Sequence, residues 1–282
     1  MSEILIAGCG YVGGALGQRL ARQGHRVWGL RRDVSRLPEG IRPFPADLAR
    51  PETLTRLPAR FDYVFYTAGA TAFTDAAYRA AYVEGARNLL EALRAASQEP
   101  RRVFFTSSTG VYGQDDGAWL DEDSPAAPLR FSGLRLLEGE AIFHESGYPA
   151  TVVRLGGIYG PGRTRLIDQV RDGSARRVEG RAVLLNLIHR DDCAGILHHL
   201  MDLDAPEPLY LAVDNEPVER NVLLCWVAKQ LGLPPPPVAP AEGIAEPQRG
   251  GNRRFRNDRL AASGYCFLFP TYREGYAALL RP

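Results

Sequence analysis

The chain has 282 residues, 45% of them hydrophobic, enough for a full doubly wound sheet with a smaller lobe and too apolar for general disorder. A formal net charge of +1 gives no field that would draw the whole surface to nucleic acid or an acidic membrane, so the expected partner is a small molecule. The sequence has no run of eighteen apolar residues and no basic-then-apolar leader before its first strand, which argues against a membrane span and a signal peptide and makes the cytoplasm the expected location.

In chain order, residues 4–7 form a short apolar run, then a glycine turn, then helical spacing over 12–23 that stops at Gly24. Residues 27–30, 63–67, 103–106 and 151–155 are further buried-looking β runs. The clearest helix covers 76–96, with Tyr82, Ala86, Leu89, Leu90 and Leu93 on one face and Glu84, Arg87, Glu91 and Arg94 on the other. Strands alternating with helices predict an α/β fold, a Rossmann-type doubly wound parallel sheet. Beyond Leu155 the rhythm loosens into a helix near 191–201, a strand at 209–213, a helix over 218–231 and an extended proline spacer at 234–237. The expected organisation is a dinucleotide-binding domain over 1–155 and a C-terminal substrate lobe over 156–282, with roughly 186–215 returning to the sheet.

Gly8, Gly10 and Gly13 form GxGxxG between the first strand and first helix, the context in which that motif carries meaning. The first glycine permits the tight turn, the second lets backbone approach a pyrophosphate, and the third lets helix and strand pack closely. Tyr11 and Val12 complete the loop's entry into the helix. Cys9 sits in this loop, where a helix N-terminus can lower a thiol pKa, although a tolerated small side chain is the plainer reading. With Cys193, Cys225 and Cys266 scattered singly, neither a disulfide framework nor a zinc site is expected.

An NAD enzyme ends its second strand in an acid that holds the ribose 2′-hydroxyl, whereas here VWGL runs into Arg31 and Arg32. Guanidinium forks match a 2′-phosphate, so NADP is expected ahead of NAD. Against this stand Asp33, close enough to serve as a late acid, and an arginine-rich background in which Lys229 is the only lysine.

Several motifs in order now resemble the extended short-chain dehydrogenase/reductase superfamily, the NAD-dependent epimerase/dehydratase group. They are GCGYVG from Gly8, Ala46-Asp47-Leu48, TAGA from Thr67, VEGARNLLEA from Val83, TSSTGVYG from Thr106, RLGGIYGPGR from Arg154 and IHRDD from Ile188. The resemblance implies that Asp47 and Leu48 border an adenine, and that Ala68 and Gly69 lie against the cofactor. Thr106, Ser107 and Leu155 join this expected cofactor set, and Ser108 matches the family's reaction-centre serine. The family's YxxxK proton relay is missing: Ser132 stands where its tyrosine belongs, Leu136 where its lysine belongs, and Tyr82 replaces the usual asparagine. The likeness is therefore to the atypical branch.

The remaining hydroxyl candidates are Ser108, Thr109, Tyr112, Ser132 and Tyr159, of which Ser108 and Tyr112 are taken as the catalytic pair. None has a cation beside it in sequence, and an unassisted tyrosine or serine is a poor base at neutral pH. Arg154, Arg163 and Arg165, with the GNRRFRN stretch at 251–257, are candidates for holding an anionic substrate, and Arg154 and Arg163 are the ones chosen. His189, Asp191, Asp192, His198 and His199 do not make a metal site, because adjacent histidines on a helix diverge by about 100° and the aspartates suit a helix N-terminus. The expectation is an NADP-binding oxidoreductase acting on a hydroxyl or carbonyl of a small metabolite. The alternative is a catalytically inert dinucleotide sensor, and the helix faces allow a homodimer.

Overall fold

Strand β1 (Glu3–Ala7) has no exposed side chain from Ile4 to Ala7, as a strand covered on both faces requires. In the computed structural model, which describes residues 1–178, 180, 183–239 and 251–281, it pairs in parallel with β2 (Arg26–Arg31) and, after β3 (Ile41–Pro45), with β4 (Tyr63–Tyr66). With β5 (Arg102–Ser108), β6 (Ala150–Leu155) and β7 (Leu209–Ala212), the seven-stranded sheet has the order β7-β6-β5-β4-β1-β2-β3. The direction of winding reverses between β1 and β4, and ligands of such sheets sit outside the strands' carboxyl ends at that reversal.

Helix α1 (Tyr11–Arg22) needs its glycines to reach the sheet: a Cβ on Gly17 would lie 2.4 Å from Ile41 Cδ1. The helix expected over 76–96 is split into α2 (Asp75–Arg79), a π-helical turn at Ala80–Glu84 and α3 (Gly85–Ala95). Two contacts explain the split. The Tyr66 hydroxyl donates to the Ala81 carbonyl, competing with the helical ladder, and α4 (Phe131–His144) presses so close that a Cβ on Gly139 would lie 2.6 Å from the Tyr82 oxygen. Periodicity in one segment cannot register a neighbour's hydroxyl.

Two compact units divide the chain. Unit 1 holds residues 1–113, 126–155 and 193–210, and unit 2 holds 114–125, 156–192 and 211–282. Leu5, Val64, Leu89, Leu93, Phe105 and Val152 lie in a buried core of unit 1, each burial stabilising by about 1.5–3 kcal/mol. Unit 2 has its own core, with Ile167, Leu187, Leu223, Val227, Tyr272 and Tyr276. Its expected helix over 218–231 is a short strand, Val218–Glu219, and a helix, Arg220–Gln230, because Glu219 leaves the helix to accept the Val222 N–H at 3.1 Å as its cap. The helix Tyr272–Leu280 was not expected from the sequence, although Thr271 and Glu274 carry the T-x-x-E signature of the capping box seen there. Among the described residues no helix is long and apolar enough to cross a membrane.

Candidate dinucleotide site

The glycine loop is held from two strands. Gly8 N and Cys9 N both donate to Leu30 O at 3.0 Å, while Thr67 Oγ1 donates to Gly8 O at 3.0 Å. Gly8 has φ +84°, and a Cβ there would lie 2.3 Å from Ala68 Cα; a Cβ on Gly13 would lie 2.4 Å from Thr67 Oγ1. At Gly10 a Cβ would meet only Gly8 O, at 3.7 Å, so the loop's outer side is open. Helix α1 starts there with no side-chain cap and no acid in its first turn, leaving its amide end suited to an anion. Gly8→Ala is expected to cost more than about 1–3 kcal/mol, since it combines left-handed strain with a backbone collision; a thermal melt unchanged from wild type would contradict this.

At the end of β2, Arg31 is half-buried and its Nη1 donates to Cys9 O at 3.2 Å, while Arg32 is exposed. Asp33 caps the turn that follows: its Oδ1 accepts from Ser35 Oγ at 2.5 Å and Ser35 N at 3.0 Å, and these bonds hold its carboxyl below the usual range. Burial pushes the Cys9 thiol up to about 12, more than the Arg31 charge pulls it down, so the loop cysteine is a thiol and not a thiolate.

Asp47 Oδ1 accepts from Ala49 N at 3.0 Å, and Leu48 O accepts from Asn88 Nδ2 at 2.8 Å. Asn88, inside the VEGARN segment, thus fixes the loop after β3, a role the sequence reading missed. Ala68 packs on Gly8, and the Tyr82 hydroxyl lies 3.8 Å from where a Cβ on Gly69 would stand. Tyr82, displaced by the π-turn, is a second residue that periodicity assigned only to packing.

The end of β5 alternates its hydroxyls between partners. Thr106 Oγ1 donates to Tyr66 O at 3.0 Å, Ser107 Oγ donates to Glu140 Oε1 at 2.5 Å, and half-buried Ser108 Oγ accepts from Gly110 N at 3.1 Å. Ser108 therefore keeps its hydroxyl proton to donate.

Tyr112 and Arg154 meet inside unit 1. Arg154 Nη1 donates to Tyr112 Oη at 2.7 Å, while its Nε and Nη2 grip Glu140 Oε1 and Oε2 at 3.0 and 2.7 Å. Tyr112 is 1% exposed, Arg154 6% and Glu140 5%. Burial works against the Arg154 charge, but hydrogen bonds and charge from Glu140 and Tyr112 together hold its pKa above the usual value. The cation missing beside Tyr112 in sequence is supplied by the fold, and the guanidinium expected to face substrate is engaged with Glu140. Leu155 ends β6, buried, and Leu136 is buried on α4 where the family's lysine stands.

Unit 1 thus gathers Gly8–Gly13, Arg31, Arg32, Asp47, Leu48, Ala68, Gly69 and Thr106–Ser108 around the carboxyl ends of its strands. Arg163 belongs to unit 2, exposed in a turn where its N–H donates to Gly160 O at 2.8 Å. Tyr159, also in unit 2, is buried, and its hydroxyl has no hydrogen-bond partner among the described residues. Asp192 accepts from Tyr265 Oη and Leu268 N, each at 2.8 Å, and from Phe269 N at 3.0 Å.

Residues 4–208 match the sequence profile of the NAD dependent epimerase/dehydratase family. A Streptomyces 3-diazoavenalumate denitrifying reductase is 32% identical, over 97% of this chain and 98% of its own. A Methylobacillus flagellatus structure assigned as an NAD-dependent epimerase/dehydratase superposes with a TM-score of 0.81 at 42% identity, covering 99% of this chain and 97% of that one. The Thermus thermophilus UDP-glucose 4-epimerase in complex with NAD shares the fold, with a TM-score of 0.78 at 21% identity over 97% of this chain and 96% of its own.

Proposed function

Because the chain belongs to the NAD-dependent epimerase/dehydratase family, we propose that it binds NADP through unit 1 and reduces a carbonyl, or oxidises the matching hydroxyl, of a small anionic metabolite. The glycine cradle carries this reading: Gly8 and Gly13 stand where a Cβ would collide, and Gly10 leaves open the one side a pyrophosphate needs. Arg31 and Arg32 are the 2′-phosphate ligands, with Asp33 occupied as a cap. The reductase relative covering nearly the whole chain supports a redox activity.

When bound, NADP supplies or accepts the hydride. The chain's own part begins at Ser108, whose oxygen accepts the Gly110 N–H and whose O–H donates to the substrate oxygen, stabilising charge as it develops. Ser108 is not the base, since a serine titrates far above neutral pH, and the proton is exchanged with solvent, taken up when a carbonyl is reduced and released when a hydroxyl is oxidised. Tyr112, 1% exposed under Arg154, acts by holding the turn after β5 in place.

Titration with NADPH and NADH, followed by nicotinamide fluorescence and melting temperature, tests the cofactor assignment. NADPH is expected to bind the more tightly. Reversing both arginines, Arg31→Asp with Arg32→Asp, is expected to weaken NADPH by about 100-fold or more while NADH changes by a few-fold at most. Equal losses for both dinucleotides would sink the 2′-phosphate assignment, and binding of neither would sink the oxidoreductase reading. Leu136 in the lysine position favours a second reading, an inert dinucleotide sensor. Any substrate-dependent change in nicotinamide absorbance excludes it.

A further inference from the structure

In unit 2 the strand Trp119–Leu120 pairs in parallel with Arg254–Phe255, Trp119 beside Arg254 and Leu120 beside Phe255. Side chains alternate across strands, so the pairing sorts the residues by face. Leu120 and Phe255 go inward, 6% and 3% exposed. Trp119 goes outward, half exposed, with Arg254 Cζ 5.9 Å and Arg256 Cζ 5.4 Å from its ring centroid. Arginine is the common cation of this chain, so its presence alone argues little; the register that brings two of them to one indole argues more.

The ribbon is fixed from behind and at its end. Asn186 Nδ2 donates to Arg253 O and Phe255 N donates to Asn186 Oδ1, both at 3.0 Å, while Arg254 Nη1 donates to Gly117 O at 2.7 Å. Nearby acids are engaged elsewhere. Asp115 accepts from Asn252 N, Asp123 pairs with Arg259 at 2.9 Å, and buried Glu122 accepts from Leu211 N at 2.8 Å. Asp258 approaches Arg256 only to 3.9 Å, both side chains more than half exposed, a pairing worth little in water.

We propose that this face binds a planar aromatic anion, its ring stacked on Trp119 and its anionic group held by Arg254 and Arg256. A rigid indole offers stacking area to any planar ring, and neighbouring guanidiniums match a phosphate or carboxylate. The site lies within unit 2 and does not depend on the dinucleotide reading.

The test is quenching of tryptophan fluorescence by two probes, uridine monophosphate and 4-hydroxybenzoate, which carry the same chemistry from a nucleotide and from an aryl acid. Saturable quenching at or below about millimolar probe is expected, weakened about tenfold or more by Arg254→Gln with Arg256→Gln. Response to one probe alone assigns that source, and response to both assigns the shared chemistry. The quenching signal should vanish in Trp119→Phe, because Trp28 and Trp226 remain only as background. Exposed Arg256→Gln alone carries the comparison if the double variant does not fold. No saturable response to either probe at about 10 mM overturns the proposal. So does quenching that survives Trp119→Phe, or affinity unmoved by the arginine variants. Binding lost with Arg31→Asp but kept in the Arg254/Arg256 variants belongs to the dinucleotide site and overturns it equally.

Discussion

Replacing Arg154 with methionine is expected to destabilise the protein by about 3–5 kcal/mol, because it leaves a buried carboxylate without its cation. Glu140 is 5% exposed, and with Arg154 gone only the Ser107 hydroxyl remains of the hydrogen-bond donors described to its carboxylate. Arg154→Lys should also be costly, since an ammonium cannot reproduce the fork that spans both Glu140 oxygens and the Tyr112 hydroxyl. Glu140→Leu combined with Arg154→Met removes both charges, and the pair should lie within about 1–2 kcal/mol of wild type. Urea unfolding of the single and double variants measures the coupling directly. A double variant as unstable as Arg154→Met would mean that the geometry of the fork, and not the uncompensated charge, carries the cost.

Asp214→Asn is expected to act in the opposite direction, stabilising the protein at alkaline pH. Asp214 is 2% exposed; its Oδ1 accepts from Glu216 N at 3.2 Å, and its Oδ2 has no partner among the described residues. Burial pushes its carboxyl up to about 8, against the Glu216 N–H bond and with the charges of Glu216, Asp192 and Glu274 adding to the rise. Below the ordinary aspartate value near 4, folded and unfolded chains both hold the proton and the neutral carboxyl's stability is fully present. As pH rises toward 8 the unfolded chain has lost its proton while the folded chain keeps it, so stability falls by up to about 1.4 kcal/mol per pH unit. Above the folded value the loss is complete. Asparagine keeps an acceptor for Glu216 N and does not titrate. The difference in melting temperature between variant and wild type should therefore grow from pH 5 to pH 8, while groups common to both cancel. Parallel stability curves would show that Asp214 is charged in the folded protein.

Both predictions rest on burial imposed by tertiary packing, and that separates what was legible from what was not. The glycine loop was legible because its signal is contiguous: Gly8, Gly10 and Gly13 lie between one strand and one helix, and each spacing answers a local steric demand. The parallel sheet followed from alternation of strand and helix, and the family likeness from motifs read in series. The π-turn was hidden because its causes, the Tyr66 hydroxyl and the approach of Gly139, come from other elements. Tyr112 had no cation beside it in sequence, yet Arg154, 42 positions on, is hydrogen-bonded to it. Arg154 read as a substrate ligand because a sequence shows a charge without showing what neutralises it, and Glu140 passed unnoticed as one more helical acid.

The sequence by itself determined the parallel sheet, the glycine cradle and the loss of the YxxxK pair, since each is set by residue type at short, fixed spacing. Only the tertiary structure decided the partners of Arg154, the Asp214 oxygen left without a partner among the described residues, the hold of Asn88 on Leu48 and the meeting of Trp119 with Arg254 and Arg256. Those depend on desolvation and on which distant side chain arrives within about 3–6 Å, where hydrogen bonds and ring contacts act. Such distances are fixed by strand register and helix packing, and no local pattern of residues encodes them.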